Sequence, residues 1–337
     1  MSKTQHVWAL ILAGGDGSRL RALTTKPCGT AVPKQFCSLD GGRSLLEDAL
    51  ARASKVVAPE RTCTIVAQQH RQWWSECREL MRLPHRNLIV QPRNRGTAIG
   101  VLYSVLHILA KDPEARIVML PSDHYVRDES VLRQSLLLAL DRVEEGKDRA
   151  VLLGIAPDEM DTDLGYVLPG GPDPAGGQTV AQFVEKPNPQ VAAELMEKGG
   201  LWNAFIIAGL GQTLLNLFLP RYSSMVMEMQ VMLSRHWSLG APAGGWPALV
   251  DLYTRLPSLD FSRDVLESKV DKLCVLRVPP CGWSDLGTPH RVGETLQRLR
   301  IHRQDDTASD WDVSDYLSLA AQHAQFERIG QLGAPAV

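Results

Sequence analysis

"VWALILAGGDGSRL", residues 7–20, is the stretch on which the fold turns. The run Val7 to Ala13 is apolar on both faces, and the chain then breaks into Gly14, Gly15, Asp16, Gly17, Ser18 and Arg19 before apolar spacing resumes. A strand that opens through glycines into a helix presents backbone N–H groups and the positive end of a helix dipole to whatever lies above the turn. Anions bind such turns. The spacing is not the dinucleotide fingerprint, because Leu20 stands where its third glycine belongs, and no Gly-Lys-Ser/Thr follows as in a P-loop. A plain strand–helix connection looks the same at this level, so the rest of the chain has to decide.

Working outward, similar apolar runs recur: "TCTIVAQ" at 62–68, "NLIVQP" at 87–92, "RIVMLPSDH" at 116–124 and "AVLLGIAP" at 150–157. Amphipathic stretches at 44–57 and 97–111 lie between them. Strands apolar on both faces, alternating with helices, predict βαβ units and a parallel sheet covered on both sides, an α/β fold. Beyond that, "LGYVLPGG" at 164–171, "VAQFVEKP" at 180–187, "WNAFIIAG" at 202–209 and "LCVLRVPP" at 273–280 are strand-like, with helical patterns at 211–235 and 262–270. The Gly/Pro-rich "PGGPDPAGG" at 169–177 predicts an edge hairpin. From about 296 the chain is polar and helix-prone, with "DYLSLAAQHAQF" at 315–326 as its one apolar stripe. No repeat of fixed period, and no hexapeptide pattern of a β-helix, is present.

The charge balance narrows the partners. With 36 Lys+Arg against 38 Asp+Glu there is no overall basic field for a nucleic acid or an anionic membrane, so any phosphate binding must be local. The six cysteines form no C-x-x-C pair, which predicts reduced thiols and a cytoplasmic protein. Val7 to Ala13 is preceded only by Lys3 and followed at once by glycines and charge, so it reads as a strand and not a signal segment. No stretch reaches the ~18 apolar residues of a membrane helix. Local cations do stand near the glycine turn: Arg19 at the start of the helix, and Lys34 in "VPKQF" at 32–36, after a Pro-restrained loop able to fold back over the turn. Two cations added to backbone donors would equip a triphosphate site, and two solvated surface cations are the alternative.

These residues together resemble a known family. "LAGGDGSRL" followed by "PKQF" resembles the signature of the sugar-1-phosphate nucleotidyltransferases, and "PKQF" with "PSDH" is most similar to the mannose-1-phosphate guanylyltransferase branch. The similarity runs as an ordered series of motifs over roughly residues 7–290. It implies a Rossmann-like, mostly parallel mixed sheet flanked by helices, of the nucleotide-diphospho-sugar transferase type, with no β-helix domain. Residues 1–295 would form the catalytic domain, divided into a nucleotide-binding half (1–150) and a sugar-phosphate half (151–295), and 296–337 a helical tail.

The resemblance also implies roles for individual positions. Gly14, Gly15, Gly17 and Ser18 would wrap the triphosphate, with Arg19, Lys34 and Lys186 as the catalytic cations. In "NRGTAIG" at 94–100, Gly96, Thr97 and Ala98 would meet the base, while Arg93 and Arg95 face phosphate or water. "LGY" gives Gly165, "VEKP" gives Glu185 and Lys186, "WN" gives Asn203 and "PSLDFSRDVLESK" at 257–269 gives Asp260, all on the sugar-phosphate side. Asp123 in "PSDH" and Asp285 in "GWSDLGT" would hold Mg²⁺, and Trp283 is packing. Asp123 follows an apolar strand, the edge where open α/β sheets bind ligands, and Mg²⁺ takes one or two carboxylates besides phosphate oxygens and water. Ala204 and Phe205 depart from the family's Ser-Gly after the asparagine, which leaves the sugar open.

The implied reaction joins a nucleoside triphosphate, GTP for this branch, to a sugar 1-phosphate, mannose 1-phosphate for this branch, with release of pyrophosphate. No nucleic acid or membrane partner is expected, and a homo-oligomer is compatible with the reading. Two alternatives stand beside it: a uridylyl- or thymidylyltransferase for another hexose 1-phosphate, and a non-catalytic nucleotide-sugar-binding regulatory protein. A dinucleotide-dependent oxidoreductase is disfavoured by Leu20.

Overall fold

The structure is a computed structural model that describes residues 5–17, 20–25, 30–146, 148–238 and 247–302. Ser18, Arg19 and the apolar stripe at 315–326 lie outside the described residues. Its strands are β1 (Val7–Ala13), β2 (Thr62–Ala67), β3 (Leu88–Gln91), β4 (Arg116–Pro121), β5 (Tyr125–Val126), β6 (Ala150–Ile155), β7 (Tyr166–Pro172), β8 (Gln178–Val184), β9 (Leu201–Leu210), β10 (Leu273–Arg277) and β11 (Trp283–Ser284). Nine of these form one sheet in the order β3-β2-β1-β4-β9-β6-β10-β8-β7, and β11 pairs with β5 in a small ribbon.

Strand β1 shows why the sheet is central. Alternate side chains leave it on opposite faces: Trp8 and Leu10 enter one core, and Val7, Ala9, Ile11 and Ala13 enter the other. The first core is closed by the helices Gly96–Leu109, Gly211–Asn216, Leu219–Ser238 and Pro247–Arg255. The second is closed by Leu45–Ser54, Glu129–Glu145 and Pro189–Glu197. The result is a three-layer α/β/α body, the arrangement that runs apolar on both faces demand.

Strands β1, β2, β3 and β4 are mutually parallel, as the first half of the chain predicts. β9 lies antiparallel between β4 and β6, and β10 is parallel to β6. Only β9 and β8 therefore run against the common direction, and the sheet is mixed but mostly parallel. The expected hairpin is present as β7–β8, turning through Gly176 and Gly177 at φ 93° and 85°. It is not a simple free edge: the start of β7 pairs back onto β9 through Tyr166–Trp202 and Val167–Leu201, so this end of the sheet curls on itself. The helical pattern at 262–270 is realised as one π-helical turn, Ser262–Leu266, and the helix Pro289–His302 runs across position 296. Among the described residues no helix is long and apolar enough to cross a membrane.

This topology places one set of strand ends together. Because β9 is reversed, its start at Leu201–Asn203 lies beside the carboxyl ends of β4 and β6. Loops following β1, β3, β4 and β8 and preceding β7 and β9 open onto the same edge of the sheet.

Candidate active site

A cleft of about 420 Å³ occupies that edge. Of the residues singled out in the sequence, Gly14, Gly15, Gly17, Gly96, Thr97, Asp123, Gly165, Glu185, Lys186, Asn203, Asp260 and Asp285 all line it. Lys34 and Ala98 are buried just behind its wall. Positions from both halves of the chain thus meet in one cavity at the carboxyl edge of a mostly parallel sheet, where such folds hold ligands.

The glycine turn is clamped from three directions. Gln35 Nε2 donates to the carbonyls of Ala13 at 3.1 Å and Gly15 at 2.9 Å. Asp16 accepts from Gln69 Nε2 at 2.6 Å and Asn94 Nδ2 at 3.0 Å, which ties the turn to the loops after β2 and β3. Gly17 has φ 59°, and a Cβ on it would press on the Lys34 backbone nitrogen at 3.0 Å, so the chain at Lys34 does return over the turn. A Cβ on Gly14 would overlap the Gln91 amide.

Lys34 reaches the metal-type acids. Its Nζ donates to Asp123 Oδ2 at 3.2 Å and to the backbone carbonyl of Asp285, so one ammonium spans the two segments that carry these aspartates. Burial works to raise the Asp123 carboxyl, and the Lys34 charge together with His124 outweighs it, holding the group below its ordinary value. His124 itself is pushed down to about 4, chiefly by burial, and stays a neutral ring packed edge-on against Trp283 at 5.2 Å. Trp283 also lies 6.2 Å from Trp202 and serves packing, as expected.

Asp123 is partly exposed toward the cleft, and Asp285 lies deeper with its carboxylate in space that only a glycine at 287 leaves free. Two hard carboxylate donors lining one cleft, on segments that Lys34 ties together, are a donor set that suits Mg²⁺ with phosphate oxygens and water completing its shell.

The segment around residues 94–98 and the segment 259–261 are stitched together at the start of the helix Gly96–Leu109. Gly96 sits at φ 81°, where a Cβ would overlap the carbonyl of Leu259. Ala98 N donates to that carbonyl at 3.0 Å, and Thr97 Oγ1 accepts from Phe261 N at 2.7 Å and faces Asp260 Oδ2 at 3.5 Å. Arg95, half-buried, is tied to the chain itself: Nε and Nη2 donate to the carbonyls of Tyr253 and Thr254 at 2.7 and 3.0 Å.

Across the cleft, Asn203 N donates to the Gly165 carbonyl at 2.8 Å and its amide donates to Ser262 Oγ at 3.3 Å. A Cβ at Gly165 would overlap the Glu185 carboxylate. That carboxylate is pushed up to about 7, by burial first and then by the charge of Asp260, against the pull of Lys186 and Arg263. Among the described residues, the non-glycine positions with positive φ are Lys186, Phe205 and Leu286, at 52°, 55° and 50°. The first two line the cleft and the third follows Asp285; backbone strain of this kind gathers at working sites.

Sequence reasoning missed Gln35, Gln91, Asn94 and Ser262, which also line the cleft. Gln91 carries the clearest signal, a polar residue at the end of an apolar strand just ahead of a glycine-started helix. Phe205 was noted only as a departure, and it turns out to face the cavity.

This fold and this gathering of loops define a class, and comparison agrees: a family model described as nucleotidyl transferase matches residues 8–299, and the chain belongs to that family. Its fold is the nucleotide-diphospho-sugar transferase type, shared with a crystal structure from Thermus thermophilus described as a mannose-1-phosphate geranyltransferase. The two superpose with a TM-score of 0.70 at 30% identity, over 89% of this chain and 80% of that one. Mannose-1-phosphate guanylyltransferase 2 of Escherichia coli O157:H7 is 31% identical over 303 residues, which cover 83% of this chain and 58% of the relative. Mannose-1-phosphate guanylyltransferase of Escherichia coli K12 is 34% identical over 207 residues, 59% of this chain and 41% of that protein. The chain thus spans little more than half the length of the curated relatives it matches, or less.

Proposed function

We propose that this protein transfers a nucleotidyl group from a nucleoside triphosphate to a sugar 1-phosphate, with GTP and mannose 1-phosphate as the preferred pair. The observation that carries the reading is the single cleft that gathers the clamped glycine turn, the Gly96 helix start, Asp123, Asp285 and the Gly165–Glu185–Asn203 cluster. The two Escherichia coli relatives support the choice of GTP and mannose 1-phosphate.

In this reading a phosphate oxygen of the sugar 1-phosphate attacks the α-phosphorus, forming the new P–O bond as the bond to pyrophosphate breaks. A phosphate monoester with a second pKa of about 6 is already mostly dianionic at neutral pH, so no base has to remove a proton. The barrier that remains is repulsion between anions and the charge growing on pyrophosphate. The glycine turn supplies backbone N–H groups to the triphosphate, and Lys34, with Arg19 assigned by the resemblance, supplies charge. Lys186, in its strained conformation at the cleft wall, receives the sugar phosphate while Glu185 and Asn203 take sugar hydroxyls. Asp123 and Asp285 would hold a divalent cation such as Mg²⁺, which supplies Lewis-acid polarisation of phosphate oxygens when bound. The buried thiols of Cys63, Cys77, Cys274 and Cys281, none in a disulfide, suit a cytoplasmic setting.

The deciding experiment is pyrophosphate release from GTP, UTP, dTTP and ATP, each paired with mannose, glucose and N-acetylglucosamine 1-phosphates in the presence of Mg²⁺. GTP with mannose 1-phosphate is expected to give the highest kcat/KM. Release above background from no pair would return the chain to the regulatory, non-catalytic alternative.

A further inference from the structure

Each aspartate assigned to the metal already has a protein cation beside it. Lys34, 6% exposed, donates to Asp123. Behind Asp285, itself 4% exposed, lies Arg291 from the helix Pro289–His302, 5% exposed, with Nη1 3.4 Å from Asp285 Oδ1. Its Nε faces Asp161 Oδ2 at 3.0 Å and Glu159 Oε1 at 3.2 Å, and its guanidinium lies over the Trp202 ring at 4.4 Å. The reaction described above makes no use of this residue.

The two cations differ in what they can do. Lys34 has a flexible stem and a point charge that a triphosphate can draw away from Asp123. Arg291 cannot follow: it lies over an indole within ion-pair distance of three carboxylates, and it does not line the cleft that Asp285 lines. A fixed positive charge behind a carboxylate opposes any cation arriving in front of it, and a buried position leaves that opposition poorly screened.

We propose that Arg291 is the resident counter-ion of Asp285 and makes metal binding depend on the nucleotide. Lys34 offsets the charge of Asp123 and Arg291, though shared with Asp161 and Glu159, offsets part of that of Asp285, so a bare divalent cation is held more weakly than two unopposed aspartates would hold it. The ion is retained once a triphosphate adds negative charge to the cleft. Arg291 is on this view a positioning residue that acts through Asp285, and the inference rests on the reading of Asp123 and Asp285 as the metal-holding pair.

The test is titration with Mn²⁺, free ion read by electron paramagnetic resonance, for wild type, R291Q, R291K and D285N, alone and with the α,β-methylene analogue of GTP. Wild type is expected to bind Mn²⁺ weakly alone and at least about tenfold more tightly with the analogue, and R291Q to bind Mn²⁺ alone at least about tenfold more tightly than wild type. R291K keeps the charge and should stay near wild type. If Asp161, Glu159 and Asp285 repel one another too strongly for R291Q to fold unaided, Mn²⁺ should raise its melting temperature far more than that of wild type, the same gain read as stability. An R291Q protein whose Mn²⁺ affinity and melting response match wild type overturns the proposal, as does an R291K protein that binds Mn²⁺ as tightly as R291Q. A separate failure is recognisable: if D285N leaves Mn²⁺ binding with the analogue unaltered, the metal-pair reading itself falls, and the role of Arg291 with it.

Discussion

Glu185 is a cleft-lining carboxyl whose protonation is set by burial and by the neighbouring Asp260. Its folded value of about 7 lies above the ordinary 4.5, so between these two pH values the folded chain holds a proton that the unfolded chain has lost. The protonated group therefore contributes stability that is present in full below about 4.5 and lost as pH rises through about 7. His124 acts in the opposite sense over its own window, from about 4 to 6.5, because it is neutral when folded and charged when unfolded. Urea unfolding of wild type and Glu185→Gln at pH 5, 6, 7 and 8 separates the two, since the histidine contribution cancels. The stability of wild type relative to the variant should fall across this range, and a difference that stays constant with pH would remove the perturbed carboxyl. The same ionisation should strengthen sugar 1-phosphate binding above pH 7, where the carboxylate becomes a full acceptor for hydroxyl protons.

The helix Gly96–Leu109 shows how one element serves core and site together. Its body is buried almost throughout, and its first turn is bonded to the segment that carries Asp260. Only glycine fits at 96, because the backbone is left-handed there and the Leu259 carbonyl occupies the place of a Cβ. Gly96→Ala should cost about 2 kcal/mol or more of stability, the left-handed penalty plus displacement of a backbone neighbour. Urea unfolding gives that loss, and triphosphate affinity should fall with it because the helix start and Asp260 move together. The glycine was legible as part of "NRGTAIG"; its partner was not. Leu259 and Gly96 are far apart along the chain, and nothing in either local pattern encodes the other.

Across the whole molecule, Lys34 joins three separated segments: its own short turn, Asp123 after β4 and the Asp285 carbonyl after β11. Lys34→Met should leave that buried carbonyl unpartnered, destabilising the fold by about 1–3 kcal/mol. Turnover should fall by about 10²-fold or more, as loss of a cation aimed at developing charge implies. Thermal unfolding together with pyrophosphate-release rates checks both, and full turnover in a destabilised protein would confine Lys34 to a structural role.

Local pattern carried the α/β architecture, because burial on both faces writes an uninterrupted apolar run and a glycine turn writes its own break. It also picked out most of the positions that line the cleft, since glycine turns, a strand-end aspartate and a Lys-Pro turn are recognisable in a linear string. Strand direction was not written there: β9 is apolar on both faces, and an apolar run reads the same whether parallel or reversed. That reversal sets Asn203 at the cleft, with Trp202 beside it in the core under the Arg291 guanidinium. Long-range pairing likewise decided that Arg95 is structural and that Arg291 stands behind Asp285, because the partner of a charge depends on which distant segment packs against it.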